Sequence, residues 1–383
     1  MDLPPLTYLT FDEVGRGVGA SQIVPYVERF AQRGLEVILH TFEQREPSTS
    51  LRRRLEGAGV DWRAHRFGGA GSRGAARRVA VGAWLLRGAR LAHARSDLAA
   101  AAAMIAGAHR WVWDVRSFWI DQRIALGMTQ PGSFEERVGR RIERAAARRS
   151  SAITVLSVAG AERLAERHGS GLRDKTIVVS TCVDLDAFPL TPLPPPERIV
   201  LLLSGTFNAL YDRALTFRFV DAVTALRPVS LQFVRPEPSP WDADVVSRGG
   251  TCSAADFAEM PYRVSTAHAG VVLLTGRSVA ATVAAMPTKV AEFLASGRPI
   301  VTTPKVGDVE ALIKEYRCGV VVASATDDAL TAAARELIAL LADTELPARC
   351  REAATTHFDL DRGVDALLRT YRRIMGIADG PGP

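Results

Sequence analysis

Residues 6–41 read as strand, turn, helix and strand in direct succession, and nothing else in the chain restricts the fold as much. Leu6–Phe11 is a strand candidate, and the glycine-rich turn Gly15-Arg-Gly17-Val-Gly19 leads from it to a helix expected near Ser21–Gln32. Gly34 ends that helix, and Leu35–Thr41 makes the next strand. Strands joined through a helix run parallel, with a right-handed crossover. Further strands are expected at Trp111–Asp114, Ala152–Leu156 and Thr176–Ser180, and helices near Ser133–Arg149 and Ala159–Arg167. The prolines of Phe188-Pro-Leu-Thr-Pro-Leu-Pro-Pro-Pro196 form a stiff connector. The rhythm then restarts at Arg198-Ile-Val-Leu-Leu-Leu-Ser204-Gly205, with later strands at Ser230–Val234, Gly270–Leu274, Pro299–Thr303 and Gly319–Val322 and a last helix pattern near Leu360–Met375. A chain of 383 residues is long for one core. The expectation is α/β: two Rossmann-like, doubly wound domains, 1–188 and 189–359, facing across a cleft lined by the carboxyl ends of their strands.

Composition excludes several classes. Apolar residues make up 47% and charged residues 23%, an ordinary globular balance. No run approaches the ~20 apolar residues of a membrane span, and the first residues lack the basic and apolar regions of a secretion signal. Cys182, Cys252, Cys318 and Cys350 are far apart and suggest neither a zinc site nor a disulfide framework, so a reducing cytoplasm is expected. Charge is uneven: residues 1–190 hold 28 Lys+Arg against 20 Asp+Glu, and residues 191–383 hold 20 against 22. The basic half can rest on anionic lipid or attract an anionic acceptor. Nucleic acid is not expected, because no recognised binding motif accompanies the charge.

The segment Met286-Pro-Thr288-Lys289-Val-Ala-Glu292-Phe-Leu-Ala-Ser-Gly297-Arg-Pro299 carries the sharpest chemical signal. Lys289 and Glu292 share one face of a short helix that Gly297 and Pro299 end. As a solvated ion pair they are worth only ~0.5 kcal/mol. At a helix N-terminus, where unpaired N–H groups add positive potential, the same pair suits a nucleoside diphosphate: phosphates on the amine, ribose hydroxyls on the carboxylate. Arg235, after the Ser230–Val234 strand, is a candidate phosphate partner. The glycines at 15, 17 and 19 do not fit the dinucleotide fingerprint, so NAD is not expected, but small residues at a strand–helix junction admit a ligand close to the backbone. His93 and Arg95 fall at a strand end. Trp113-Asp114-Val-Arg116-Ser-Phe-Trp119-Ile-Asp121 is dense in groups that stack on sugars and bind hydroxyls. Asp184-Leu-Asp186 reads as a turn, and no metal is expected.

In series these residues resemble the retaining glycosyltransferases of the GT-B fold, family 4. The resemblance runs through Ser21-Gln22-Ile-Val-Pro25-Tyr26, His93-Ala-Arg95-Ser96, Asp114-Val-Arg116-Ser-Phe118-Trp119-Ile-Asp121, Thr181-Cys-Val-Asp184, Pro287-Thr288-Lys289-Val-Ala-Glu292 and Gly307-Asp-Val-Glu310. It implies a hexosyltransferase-type enzyme whose C-terminal domain holds a nucleotide-sugar through Gly205, Arg235, Thr288, Lys289 and Glu292. It implies that His93 lies near the transferred sugar, with His93 and Lys289 as catalytic groups. Gly17, Ser21, Arg95, Asp114, Arg116, Trp119 and Asp121 would shape the acceptor side, and the helix near 360–376 would pack back on the first domain. No cofactor is implied beyond the co-substrate. The acceptor would be a sugar, a lipid-linked species or a natural product, with peripheral membrane contact through the basic half. Many members carry an earlier glutamate, eight positions before the ribose-binding one, where this chain has Ala284; donor identity hangs on that difference. The expected reaction is front-side transfer with retention, the leaving phosphate taking the acceptor proton. An epimerase of the same fold and a non-catalytic nucleotide-sugar-binding partner are the alternatives.

Overall fold

The computed structural model describes residues 3–195, 197–276 and 279–378. Two units emerge, Met1–Ser180 with Leu360–Pro383, and Thr181–Asp359. The first is a seven-stranded sheet in the order β3-β2-β1-β4-β5-β6-β7. Its strands are β1 Leu6–Leu9, β2 Val37–Glu43, β3 Val60–Arg66, β4 Leu91–Arg95, β5 Trp111–Val115, β6 Ala152–Val155 and β7 Thr176–Val178. Every pairing is parallel, with Leu6 of β1 opposite both Val37 and Leu91. The second unit is a six-stranded parallel sheet in the order β10-β9-β8-β11-β12-β13. It comprises β8 Ile199–Ser204, β9 Val229–Val234, β10 Thr251–Ser253, β11 Ala269–Val272, β12 Ile300–Thr302 and β13 Gly319–Val321. Both orders reverse direction from the first strand outward, which places a binding crevice at the carboxyl ends of the strands.

Three expectations are corrected by the packing. Strands β3 and β10, each at one edge of its sheet, were not expected. In β3 the outward Asp61 and Arg63 pair with each other, so its apolar signal is thin. The helix expected near Ser21–Gln32 is two helices, Gly17–Gln22 and Val24–Gln32, broken at Ile23. Pro25 falls in the first turn of the second, where its missing N–H costs nothing. The division between units falls after Ser180, ahead of the proline connector and not at 188. Two arginines, one buried and one half-buried, account for this. Arg298, fully buried, donates to the carbonyls of Thr191 and Pro192 and to Thr191 Oγ1. Arg351 donates to the carbonyls of Leu185 and Phe188. The connector is therefore built onto the second unit; its last residue, Pro196, lies outside the described residues.

The C-terminal helix Leu360–Met375 groups with the first unit and packs on the helix Val24–Gln32. Its buried face includes Val364, Leu367, Leu368, Tyr371 and Ile374, the 3.6-residue repeat of an amphipathic helix. In the second unit the core is a layer of Leu201, Leu203, Phe219, Phe233, Val271 and Val301 between sheet and helices. Each such side chain, fully buried, contributes about 1.5–3 kcal/mol.

Candidate functional site

The helix Thr288–Ala295 connects β11 to β12, so its amino end lies at the carboxyl edge of the second sheet. Val290, Phe293 and Leu294 anchor it in the core, and Gly297, at φ +77°, lets the chain turn back into β12. Thr288 begins the helix behind Pro287, which supplies no side-chain cap, leaving the first N–H groups open. Lys289 and Glu292 are both only 7% exposed. Lys289 Nζ lies 4.2 Å from the centre of the Phe207 ring and 4.4 Å from that of Tyr211. It has no hydrogen-bond partner. A buried ammonium facing ring π-systems gains cation–π attraction, but its donors stay unspent. Beside it, burial pushes the Glu292 carboxyl up to about 7, with Lys289 pulling the other way.

The rings over Lys289 are held by backbone pairing. After β8 the chain turns at Gly205, φ +83°, where an added Cβ would sit 3.7 Å from Lys289 Nζ. The following loop is stitched across the end of β11 by Asp212 N–H to Leu273 O, 2.9 Å, and Thr275 N–H to Leu210 O, 2.7 Å. Phe207 and Tyr211 stand 4.4 Å apart, and Phe207 rests against Trp241. Gly205, Phe207, Tyr211 and Glu292 thus form a cluster around Lys289. Arg235 is not part of it: its guanidinium pairs with Asp242 across both carboxylate oxygens. Ala284 is buried, and the carbonyl of Thr282 near it accepts from Gly307 N–H.

The first unit gathers His93, Arg95, Asp114 and Arg116 into a second polar cluster around a small cavity that Tyr8, Gln22 and Thr154 also line. Asp114 accepts from Thr154 Oγ1 at 2.7 Å, Arg95 at 3.2 Å and Arg116 at 3.4 Å. Burial works against its charge, yet Arg116, His93 and Arg95 together hold its carboxyl well below the usual range. His93 is stacked on Tyr8, and its Nδ1 meets the Tyr371 hydroxyl at 2.9 Å. Its Nε2 lies 3.4 Å from Asp114, too long for a full hydrogen bond. Burial lowers its pKa. A neutral ring protonated on Nε2 accepts from the Tyr371 hydroxyl at Nδ1 and turns its N–H toward Asp114. Gly17, at φ +53° with open space around it, and Ser21, whose hydroxyl bonds back to the Gly17 carbonyl, belong to the short helix that also presents Gln22 to Arg116.

Trp119 and Asp121 are drawn elsewhere. Asp121 is clamped by Arg140 at 2.8 and 2.9 Å and by Arg167 at 2.7 Å, and Trp119 lies under Arg123. Sequence reasoning missed the aromatic pair Phe207 and Tyr211; their position just after the first strand of the second unit was the available signal. It also missed Asp97, whose carboxyl is buried beside Glu143 and pushed up to about 8. Among the described residues, no group of three or more His, Cys, Asp or Glu could hold a metal ion.

Residues 19–182 match the model of the glycosyl transferase 4-like domain. No curated protein matches the sequence. Solved structures resemble it over nearly its whole length. A sucrose-phosphate synthase from Thermosynechococcus elongatus superposes with TM-score 0.70 at 17% identity, covering 97% of this chain and 99% of that one. A glycosyltransferase from Rickettsia africae gives 0.72 at 13%, covering 99% and 100%. Anabaena HepE, in complex with UDP-glucose, gives 0.69 at 14%, covering 96% and 99%. At such identities the likeness shows the fold: the chain has the two-unit GT-B fold, and its first unit carries a glycosyl transferase 4-like domain.

Proposed function

We propose that this protein is a glycosyltransferase that moves a sugar from a nucleoside diphosphate to an acceptor hydroxyl with retention of anomeric configuration. The observation that carries the reading is the buried ammonium of Lys289, without a hydrogen-bond partner, between Glu292 and the open start of its helix. A diphosphate is dianionic or more and rich in acceptors, so it takes up the unspent donors of Lys289 and of the helix. Glu292 accepts from the ribose hydroxyls. As the bond to the sugar breaks, charge grows on the leaving phosphate, and Lys289 stabilises it there. Arg235, locked to Asp242, supports the strand end instead of the phosphate. The phosphate oxygen on the side of the incoming hydroxyl takes its proton, so no protein base is required. UDP-glucose, the ligand of Anabaena HepE, is the first donor to try.

The cluster of the first unit serves the acceptor in this reading. Arg95 and Arg116 neutralise Asp114, and His93 and Tyr371 hold its geometry. The acceptor is a sugar, a lipid-linked species or a natural product, and peripheral contact with a membrane through the basic unit belongs to the same reading, as does a cytoplasmic site of action without a metal.

Lys289→Ala should lower turnover of UDP-glucose by about a hundredfold or more, the size of losing one preorganised donor, while the far-ultraviolet circular dichroism stays unchanged. Turnover within threefold of the parent protein would remove Lys289 from the mechanism. Release of UDP with a free or transferred sugar supports a transferase; an isomerised nucleotide-sugar would support the epimerase, and binding without turnover a non-catalytic partner.

A further inference from the structure

From Trp62 to Trp113 the sequence holds nine arginines and one acid, Asp97. That acid is 2% exposed. The stretch builds one flank of a helical layer on the first unit. Helix Gly71–Leu85 packs on helix Asp97–Ala106, which packs on helix Phe134–Arg149. The first pair approaches closely at Gly82, where an added Cβ would stand 3.2 Å from that of Ala102.

The outward faces of this layer have one sign. On Gly71–Leu85 and just beyond it, Arg73, Arg77, Trp84 and Arg87 are exposed; their spacings of four, seven and three residues put them on one face. On Phe134–Arg149 the exposed stripe is Phe134, Arg137, Arg141, Arg144 and Arg148. The acids of that helix are turned to cationic partners: Glu135 to Arg123 at 2.8 Å, Glu136 to Arg140 at 3.4 Å, Glu143 to Arg167 at 3.4 Å. No acid among the described residues pairs with Arg137, Arg141, Arg144 or Arg148. Large apolar side chains stand among these cations: Trp84 is 65% exposed, Ile105 68% and Phe134 72%.

We propose that this three-helix face is a docking surface for an anionic phospholipid bilayer. Charge complementarity and the exposed Trp84, Ile105 and Phe134 argue together. Arginines carried beside aromatic and aliphatic side chains match the boundary where headgroup phosphates meet acyl chains. A dissolved polyanion matches the arginines but leaves three large apolar groups in water. Among the described residues no helix is long and apolar enough to cross a membrane, so this contact is interfacial. The inference deepens the membrane-contact part of the proposed function and rests on that part, not on the donor chemistry.

The test is sedimentation of the whole chain with vesicles of phosphatidylcholine alone, and with roughly a third phosphatidylglycerol, at moderate salt. The protein should pellet with the anionic vesicles only. Each well-placed cation is worth about fivefold in affinity, so Arg137→Ala/Arg141→Ala/Arg144→Ala should weaken binding by about a hundredfold. Trp84→Ala/Phe134→Ala should weaken it severalfold at the same salt. Arg198→Ala/Arg227→Ala/Arg335→Ala, which removes equal charge from the exposed surface of the second unit, should change it less than about twofold. The proposal is overturned if the parent chain ignores anionic vesicles, if the second-unit variant loses as much as the first, or if heparin retains a chain that the vesicles do not. Turnover of UDP-glucose reads the donor site separately: a chain that binds anionic vesicles but leaves the nucleotide-sugar untouched would sustain this surface and sink the donor assignment.

Discussion

Lys289 shows how much one side chain can owe to its surroundings. Two rings face its buried amine, and its hydrogen-bonding capacity stays free because no protein acceptor takes it. Lys289 and Glu292 were legible in the sequence, because residues three apart on a helix must share a face. Phe207 and Tyr211 were not, because they reach the site through the loop pairing between Asp212 and Leu273. Glu292 carries a pH signature. Its carboxyl is ordinary when unfolded and raised to about 7 by burial when folded. Between those values the folded chain binds the extra proton, so its contribution to stability falls as pH rises from about 4.5 to about 7. Glu292→Gln should flatten that part of the stability curve, by about 3 kcal/mol at most, measurable by urea unfolding at pH 5 and pH 8; an unchanged slope refutes the assignment. At Gly205, an alanine would meet the strain of positive φ, with its Cβ in ordinary contact with Lys289 Nζ. Gly205→Ala should cost about 1–2 kcal/mol of stability and raise the KM for the donor.

At the scale of elements, the connector after β7 is the instructive case. Its prolines announce a boundary, and composition alone puts the division there. The structure moves it forward because Arg298 and Arg351 spend their guanidinium protons on connector carbonyls. Arginine is suited to this work, since one planar group satisfies several acceptors at once. Arg298→Ala would leave those carbonyls and the carbonyl of Ser265 without a donor. It should destabilise the second unit by about 1–3 kcal/mol or more, seen as a lower melting temperature; a shift of under two degrees would show that water replaces the guanidinium without loss. The edge strands β3 and β10 teach a related lesson. A strand with one neighbour and a solvated face needs little apolar sequence, so its sequence signal is weak although its ladder is regular.

At the scale of the whole chain, the first unit is discontinuous, and its last helix is a structural part of it. Tyr371 packs on Phe30 and bonds His93, both far away in sequence. A chain ending at Asp359 should therefore fail to fold its first unit cooperatively, lose the buried environment of His93, and aggregate. Calorimetry showing the first unit's transition unchanged in that truncation would contradict the role given to the helix. The sequence by itself determined the two parallel sheets, the repeat of strand and helix, and the amino-end placement of Lys289 and Glu292, because each follows from local periodicity and chain connectivity. Only the tertiary structure decided which polar residues meet. It assigned Asp114 to Arg95 and Arg116, Asp121 to Arg140 and Arg167, and Arg235 to Asp242, because the burial of a charge depends on neighbours that connectivity brings from distant parts of the chain.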